Sequence, residues 1–170
     1  MQDIITLSNC ITPELVATII QRCSDIGFEK STTFGSSNHR HSTNRSISGN
    51  SVLADIDAQL APIFMKGTSD LSKLYPPYGV DIISDEGYNL LKYEPGHYYK
   101  THTDHASHHT RIISMILYLN DNYEGGELNF PRHGITIKPK AGDLVMFPSN
   151  YTYPHESLPI VSGTKYAIVT

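Results

Sequence analysis

The sequence predicts a mainly β fold with N-terminal helices, its strands closing into a two-sheet barrel or jelly roll and the helices packing on the outside. Three observations predict it. Apolar residues recur at helical spacing only in the first half, short β-rich runs fill the chain from Ile82 onward, and turn pairs punctuate those runs. At 170 residues and 39% hydrophobic, the chain can bury one sizeable core, so one domain over 1–170 is expected. Within it, 1–81 reads as helical support and 82–170 as the jelly-roll core.

Thr12-Pro13-Glu14 reads as a helix start: Thr caps, Pro is pre-organised for the first helical position, and Glu suits the positive end. Leu15, Ile19, Ile20, Cys23 and Ile26 then repeat at helical spacing, and Gly27 ends the helix. Residues 31–50 are rich in Ser, Thr, Asn and His, which predicts a mobile surface loop. A second helix is expected from about Ser51, with Val52, Ile56, Leu60 and Phe64 inward and Pro62 kinking or shortening it. Ser69 to Leu74 adds a turn before Pro76-Pro77 breaks the chain. Strands are predicted over Tyr88–Tyr93, Ile112–Leu119, Glu127–Phe130, Ile135–Ile137, Leu144–Phe147 and Tyr166–Thr170. Asp121-Asn122, Gly125-Gly126, His133-Gly134 and Ala141-Gly142 are the turns between them.

The formal net charge of -4, with no cluster of Lys or Arg, argues against a nucleic-acid partner. The only two cysteines, Cys10 and Cys23, match no zinc pattern and read as reduced thiols, with a pairing between them left open. No run is long enough for a membrane span, and a cytoplasmic protein without a membrane partner is expected. Nothing in the sequence reports the oligomeric state.

Nine histidines are present, four of them between Thr101 and His109. In an extended strand residues two apart share a face, so His102 and Asp104 can converge on one ion while His105 has the wrong parity. A third donor has to come from elsewhere, and His155 stands in a short β-like segment far downstream. Two imidazoles and one carboxylate form a facial triad that leaves metal positions open, as Fe(II) oxygen chemistry needs. Lys165, ten residues beyond His155 at the start of the last strand, is a cation that would want an anion if buried. His97, His108, His109 and His133 lie in or beside turns and read as solvated or substrate-facing.

These residues stand in a wider pattern. Tyr93, Gly96, Tyr99, His102 and Asp104 are followed by Arg111, Tyr118-Leu119-Asn120, Gly125-Gly126-Glu127-Leu128 and Phe130-Pro131. Pro139, Gly142-Asp143, Phe147-Pro148, His155 and Lys165 complete it. In order and spacing, residues 82–170 resemble the 2-oxoglutarate and Fe(II)-dependent dioxygenases of the prolyl 4-hydroxylase type. The resemblance implies a double-stranded β-helix (jelly-roll) core with the helices on the outside of one sheet. It implies that His102, Asp104 and His155 ligate Fe(II), and that Lys165 holds the distal carboxylate of 2-oxoglutarate. Tyr93 and Tyr118 match positions where the family places phenols near the co-substrate. The implied reaction consumes O2 and 2-oxoglutarate, hydroxylates a C–H bond and releases succinate and CO2, with ascorbate as a possible aid in keeping iron reduced.

The implied substrate is a prolyl residue of a peptide or protein, with a free amino acid or small metabolite as the alternative. Arg40, His41 and Arg45 could read it from the 31–50 loop, together with residues around 105–110. A metallo-hydrolase is the first rival, but Lys100 stands where its His-x-His-x-Asp-His signature needs a histidine. A nucleic-acid demethylating oxygenase would carry arginines after the distal histidine, where this chain has Lys165. A cupin-like binding module without turnover would not need Lys165 or open metal positions.

Overall fold

The computed structural model describes residues 3–31, 38–75, 82, 84–106 and 110–170. Strand β1 (Ile5–Leu7) leads into helix α1 (Pro13–Ile26), which starts where its sequence says it should. The Thr12 hydroxyl accepts the Leu15 N–H at 3.3 Å, and Gly27, at φ +94°, closes the other end with its N–H on the Cys23 carbonyl. Ile19 and Cys23 are buried, whereas Ile26 is 38% exposed and faces out, contrary to the periodicity.

The polar segment 31–50 differs most from its expectation. Strand β2 (Glu29–Lys30) precedes it, and within it Arg40–His41 forms β3 and Thr43–Ser46 forms β4. Ladder bonds use backbone groups, so a strand of small polar residues can pair without any apolar alternation to announce it. Ile47 and Ser42 are buried. Residues 32–37 lie outside the described residues, as do His108, His109 and Pro76-Pro77.

After a short 3-10 turn at Ser51–Leu53, helix α2 runs from Ala54 to Lys73 straight through Pro62 and absorbs the turn expected at Ser69–Leu74. An interior proline costs about 3 kcal/mol. Ile56, Leu60, Phe64, Gly67 and Leu71 offset it by burying one continuous face of the helix. Val52, expected inward, lies in the 3-10 turn and is 60% exposed. At Gly67 a Cβ would stand 2.7 Å from Met115 Cε and 2.8 Å from Leu144 Cδ2, so α2 lies directly on side-chain tips of the sheet.

The remaining strands are β5 (Asn89–Tyr93), β6 (Tyr98–His102), β7 (Ile113–Tyr118), β8 (Glu124–Gly125) and β9 (Leu128–Phe130). They continue with β10 (Ile135–Ile137), β11 (Leu144–Pro148), β12 (His155–Ser157), β13 (Ile160–Ser162) and β14 (Lys165–Val169). A major sheet of seven strands runs β1-β11-β7-β14-β5-β4-β2, and a minor sheet of five runs β10-β9-β12-β6-β3. Both are antiparallel throughout. The first half thus supplies strands to both sheets as well as helices.

Ile19, Ile56, Leu60 and Phe64 pack with Leu90, Leu117, Leu144 and Ile168, which places both helices on the outer face of the major sheet. A second cluster, with Tyr118, Val145, Phe147 and Ala167 against Leu128 and Phe130, fills the space between the sheets. The fold is the mainly β jelly roll with outer helices that the sequence predicts.

Candidate active site

Strands β6 and β12 pair so that His155 stands directly opposite His102 in the minor sheet. Asp104 lies beyond the end of β6, in a bend, so strand parity does not bring it to His102 as the sequence reading supposed. The chain turns after His102 and returns the carboxylate to the same place. Donor atoms of His102, Asp104 and His155 all lie within 4.8 Å of one another. Each imidazole Nε2 is 3.4 Å from an Asp104 oxygen.

Local bonds aim these donors. The Nδ1 of His102 is 2.8 Å from the Lys100 carbonyl, and that of His155 is 3.2 Å from the Tyr153 carbonyl. A carbonyl can only accept, so each Nδ1 carries the hydrogen and each Nε2 keeps its lone pair. Tyr99 stacks on His102 at 3.5 Å between ring centroids, and Phe147 meets His155 edge-on at 4.5 Å. The Ser114 hydroxyl donates to Asp104 Oδ2 at 2.5 Å and is itself 2.8 Å from Ser149 Oγ.

Burial opposes ionisation of Asp104, yet the His102 contact, the neighbouring imidazoles and the Ser114 hydroxyl together hold its carboxyl below the usual range. Burial also pushes His155 down to about 4, with Asp104 opposing, so its ring is neutral near pH 7. One carboxylate and two imidazoles that turn their Nε2 atoms towards it are the donor set a divalent Fe, Mn or Co ion takes. The residues fit a metal.

The major sheet contributes the opposite wall. Asn89, Leu91 and Tyr93 on β5, Ser114, Ile116 and Tyr118 on β7, and Lys165, Ala167 and Val169 on β14 are alternate residues, all facing one cavity of about 320 Å³. The three donors line the same cavity. Lys165 pairs with Tyr93 across the ladder, and Ala167 with Tyr118.

Lys165 is 3% exposed. Its Nζ donates to the Gly126 carbonyl at 2.7 Å and to Ser157 Oγ at 2.8 Å, and lies 5.0 Å and 5.5 Å from the Tyr93 and Tyr118 ring centroids. Among the described residues no carboxylate comes within ion-pair distance of it. Burial therefore drives its pKa down to about 7, only partly opposed by the more distant Glu127. Ammonium ions are rarely buried without an anion. The cavity fits a ligand with a carboxylate at one end.

The structure thus gathers His102, Asp104, His155, Lys165, Tyr93 and Tyr118 around one space. It leaves others out. His105 bonds the Arg111 carbonyl, His133 the Thr152 carbonyl, and His97 lies against His41 at 4.2 Å. Of the three residues suspected of reading the substrate, Arg40 lines the cavity, while Arg45 is held by Glu29 and the Gly27 carbonyl. Sequence reasoning missed Ser114 and Ser157. Gly126, which belongs to the motif pattern and reads as a turn, also has a carbonyl that accepts from Lys165, and its φ of +69° is a backbone conformation that favours glycine.

A family model described as the 2OG-Fe(II) oxygenase superfamily matches residues 88–170, the part of the chain that holds all six residues. Residues 88–170 thus resemble that superfamily. Oxygenases of that superfamily require Fe(II), 2-oxoglutarate and O2. A putative prolyl 4-hydroxylase of Acanthamoeba polyphaga mimivirus is 27% identical across 94% of this chain and 69% of its own length. Prolyl 4-hydroxylase 1 of Arabidopsis thaliana is 30% identical over 46% of this chain, and the match spans only 37% of the plant protein.

Two solved structures share the fold across nearly all of this chain. A Trichoplax adhaerens prolyl hydroxylase, in complex with a hypoxia inducible factor peptide, superposes with a TM-score of 0.81 at 21% identity, covering 99% of this chain and 82% of its own. A viral collagen prolyl hydroxylase from Paramecium Bursaria Chlorella virus-1, in its 2OG complex, gives 0.74 at 20% identity, covering 99% and 94%. The kinship with prolyl 4-hydroxylases that the motif pattern implied is borne out. No helix among the described residues is long and apolar enough to cross a membrane.

Proposed function

We propose that this oxygenase hydroxylates a prolyl residue of a peptide or protein, with His102, Asp104 and His155 holding Fe(II) and Lys165 receiving the distal carboxylate of 2-oxoglutarate. The observation that carries the reading is the buried Lys165, with no carboxylate among the described residues in ion-pair distance, in the same cavity as the three donors. A structural zinc site would not need that cation, and neither would a binding barrel without turnover. The kinship with prolyl hydroxylases supports the substrate; a free amino acid or small metabolite is the competing choice.

Fe(II) and 2-oxoglutarate, when bound, supply the oxidative decarboxylation that turns O2 into a C–H hydroxylating agent and leaves succinate and CO2. The chain's own residues prepare and protect that chemistry. Lys165 takes up a proton as the carboxylate arrives, since the anion restores the charge that burial disfavours. Tyr93 and Tyr118 enclose the ammonium. The carbonyls of Lys100 and Tyr153 fix the imidazole tautomers, and Ser114 fixes the carboxylate. Phe130 and Phe147 pack around His155 and exclude water from it.

We also propose that 1–170 acts as one catalytic unit, because strands from its first half complete both sheets around the cavity. The free thiols of Cys10 and Cys23 favour a cytoplasmic setting. The test is direct: with Fe(II), 2-oxoglutarate and ascorbate under air, proline-containing peptides should gain one oxygen in mass as succinate accumulates. Succinate without oxygen gain on any peptide, but with gain on free amino acids, would move the substrate to that class. Tight zinc and no succinate would sink the oxygenase reading.

A further inference from the structure

We propose that Arg40 anchors a carboxylate of the substrate, an anionic group carried next to the carbon that is hydroxylated. This rests on the oxygenase reading above and adds the substrate's charge to it. Arg40 stands on β3 opposite Tyr99 of β6, and its guanidinium carbon lies 4.7 Å from the Tyr99 ring centroid. Tyr99 in turn stacks on His102. One aromatic ring therefore separates the guanidinium from a metal donor, and both line the same cavity.

The guanidinium is held in place at one corner. Its Nε donates to Ser42 Oγ at 2.7 Å, and that buried hydroxyl donates on to Ser31 Oγ at 3.0 Å. At the other corner, Nη2 is buried with no hydrogen-bond partner. Arg22, Arg45 and Arg111 each hold a carboxylate, of Asp55, Glu29 and Glu86 respectively. For Arg40 the described residues provide none within ion-pair distance.

A buried donor without an acceptor has lost its water without compensation, and a ligand supplying the acceptor recovers that loss. Guanidinium forks match carboxylates in shape and charge, so the ligand chemistry is a carboxylate rather than a neutral amide. Lys165 cannot duplicate this role. It sits on the major sheet and is bonded to Gly126 and Ser157, whereas Arg40 sits at the edge of the minor sheet. Two carboxylates, one from the co-substrate and one from the substrate, then approach the donors from different walls. The second has two sources: an acidic side chain beside the reacting residue, or a terminal carboxyl group.

The test uses the full chain and three fluorescent proline-containing peptides that differ only in charge. One has a Glu beside proline and an amidated C-terminus, one is neutral with a free C-terminal carboxylate, and one is neutral and amidated. Anisotropy under nitrogen, with Mn(II) and 2-oxoglutarate present, reads binding independently of turnover. One of the two anionic peptides should bind at least about tenfold tighter than the neutral one, and which of them does so identifies the source. Arg40→Gln should remove that ratio. Arg40→Glu should invert it in favour of a matched Lys peptide, an outcome that a misfolded variant could not give. Equal binding of all three peptides, or a preference that survives in Arg40→Gln, overturns the assignment. Absence of succinate under air overturns the oxygenase reading instead and leaves the binding comparison standing.

Discussion

The minor sheet holds His102 and His155 by short local bonds, each Nδ1 against the carbonyl two residues earlier, whereas the major sheet holds Lys165 by burial and by acceptors 39 and 8 residues away in sequence. A donor aimed by its own strand is ready before any ligand arrives. A cation enclosed by the fold is not at rest until an anion joins it. The comparison teaches that one wall presents a donor set that fits a metal, while the other presents a buried cation with no carboxylate beside it among the described residues.

Breaking the minor wall should have the largest effect. Asp104→Ala or His155→Ala should lower succinate formation by about 100-fold or more with loss of bound iron, because removing a donor exceeds the about 10- to 100-fold effect of removing its supporting partner. Metal analysis beside the succinate assay checks it. Breaking the major wall should look different: Lys165→Met should raise the 2-oxoglutarate concentration needed by about 10- to 100-fold, the worth of a charge-assisted bond, while iron stays bound. The same substitution should raise the melting temperature of the ligand-free chain, since it removes a buried charge without a partner.

The pH dependence sharpens the contrast. Burial lowers Lys165 to about 7, so below that pH the folded chain already carries the ammonium and above it must take up a proton to bind the dianion. The 2-oxoglutarate requirement should be flat on the acid side and rise about tenfold per pH unit above about 7. The same depressed pKa makes Lys165 a stability cost that is largest below pH 7 and fades as pH rises towards the value of a free lysine. A flat requirement between pH 7 and 9 would contradict the assigned role. Smaller still, Ser114→Ala should weaken iron by about tenfold through the loosened Asp104. His105→Ala should leave iron content unchanged, because its Nδ1 faces the Arg111 carbonyl rather than the donors.

What was legible in the sequence followed from side-chain pattern. Thr12, Pro13 and Gly27 bound helix α1 because caps and positive φ are residue-specific, and the apolar runs of β7 and β11 mark buried strands. The six residues that meet at the cavity were legible through a motif pattern spread over half the chain. What was hidden rests on backbone or on distance. Strands β3 and β4 consist of polar residues that pair through their backbone, and α2 passes Pro62 because its buried face outweighs one lost bond. Asp104 reaches His102 by a bend that parity cannot describe. The roles of Ser114, Gly126 and Arg40 depend on neighbours 10, 39 and 59 residues away, which no local spacing encodes.

Calorimetric titration of 2-oxoglutarate under nitrogen tests the two-wall account most directly, using the wild-type chain with and without Fe(II), His155→Ala with Fe(II), and Lys165→Met with Fe(II). Tight binding should require both walls, so that the metal-free chain and both variants each lose at least about tenfold in affinity. Equal affinity with and without Fe(II), or with and without Lys165, would contradict it.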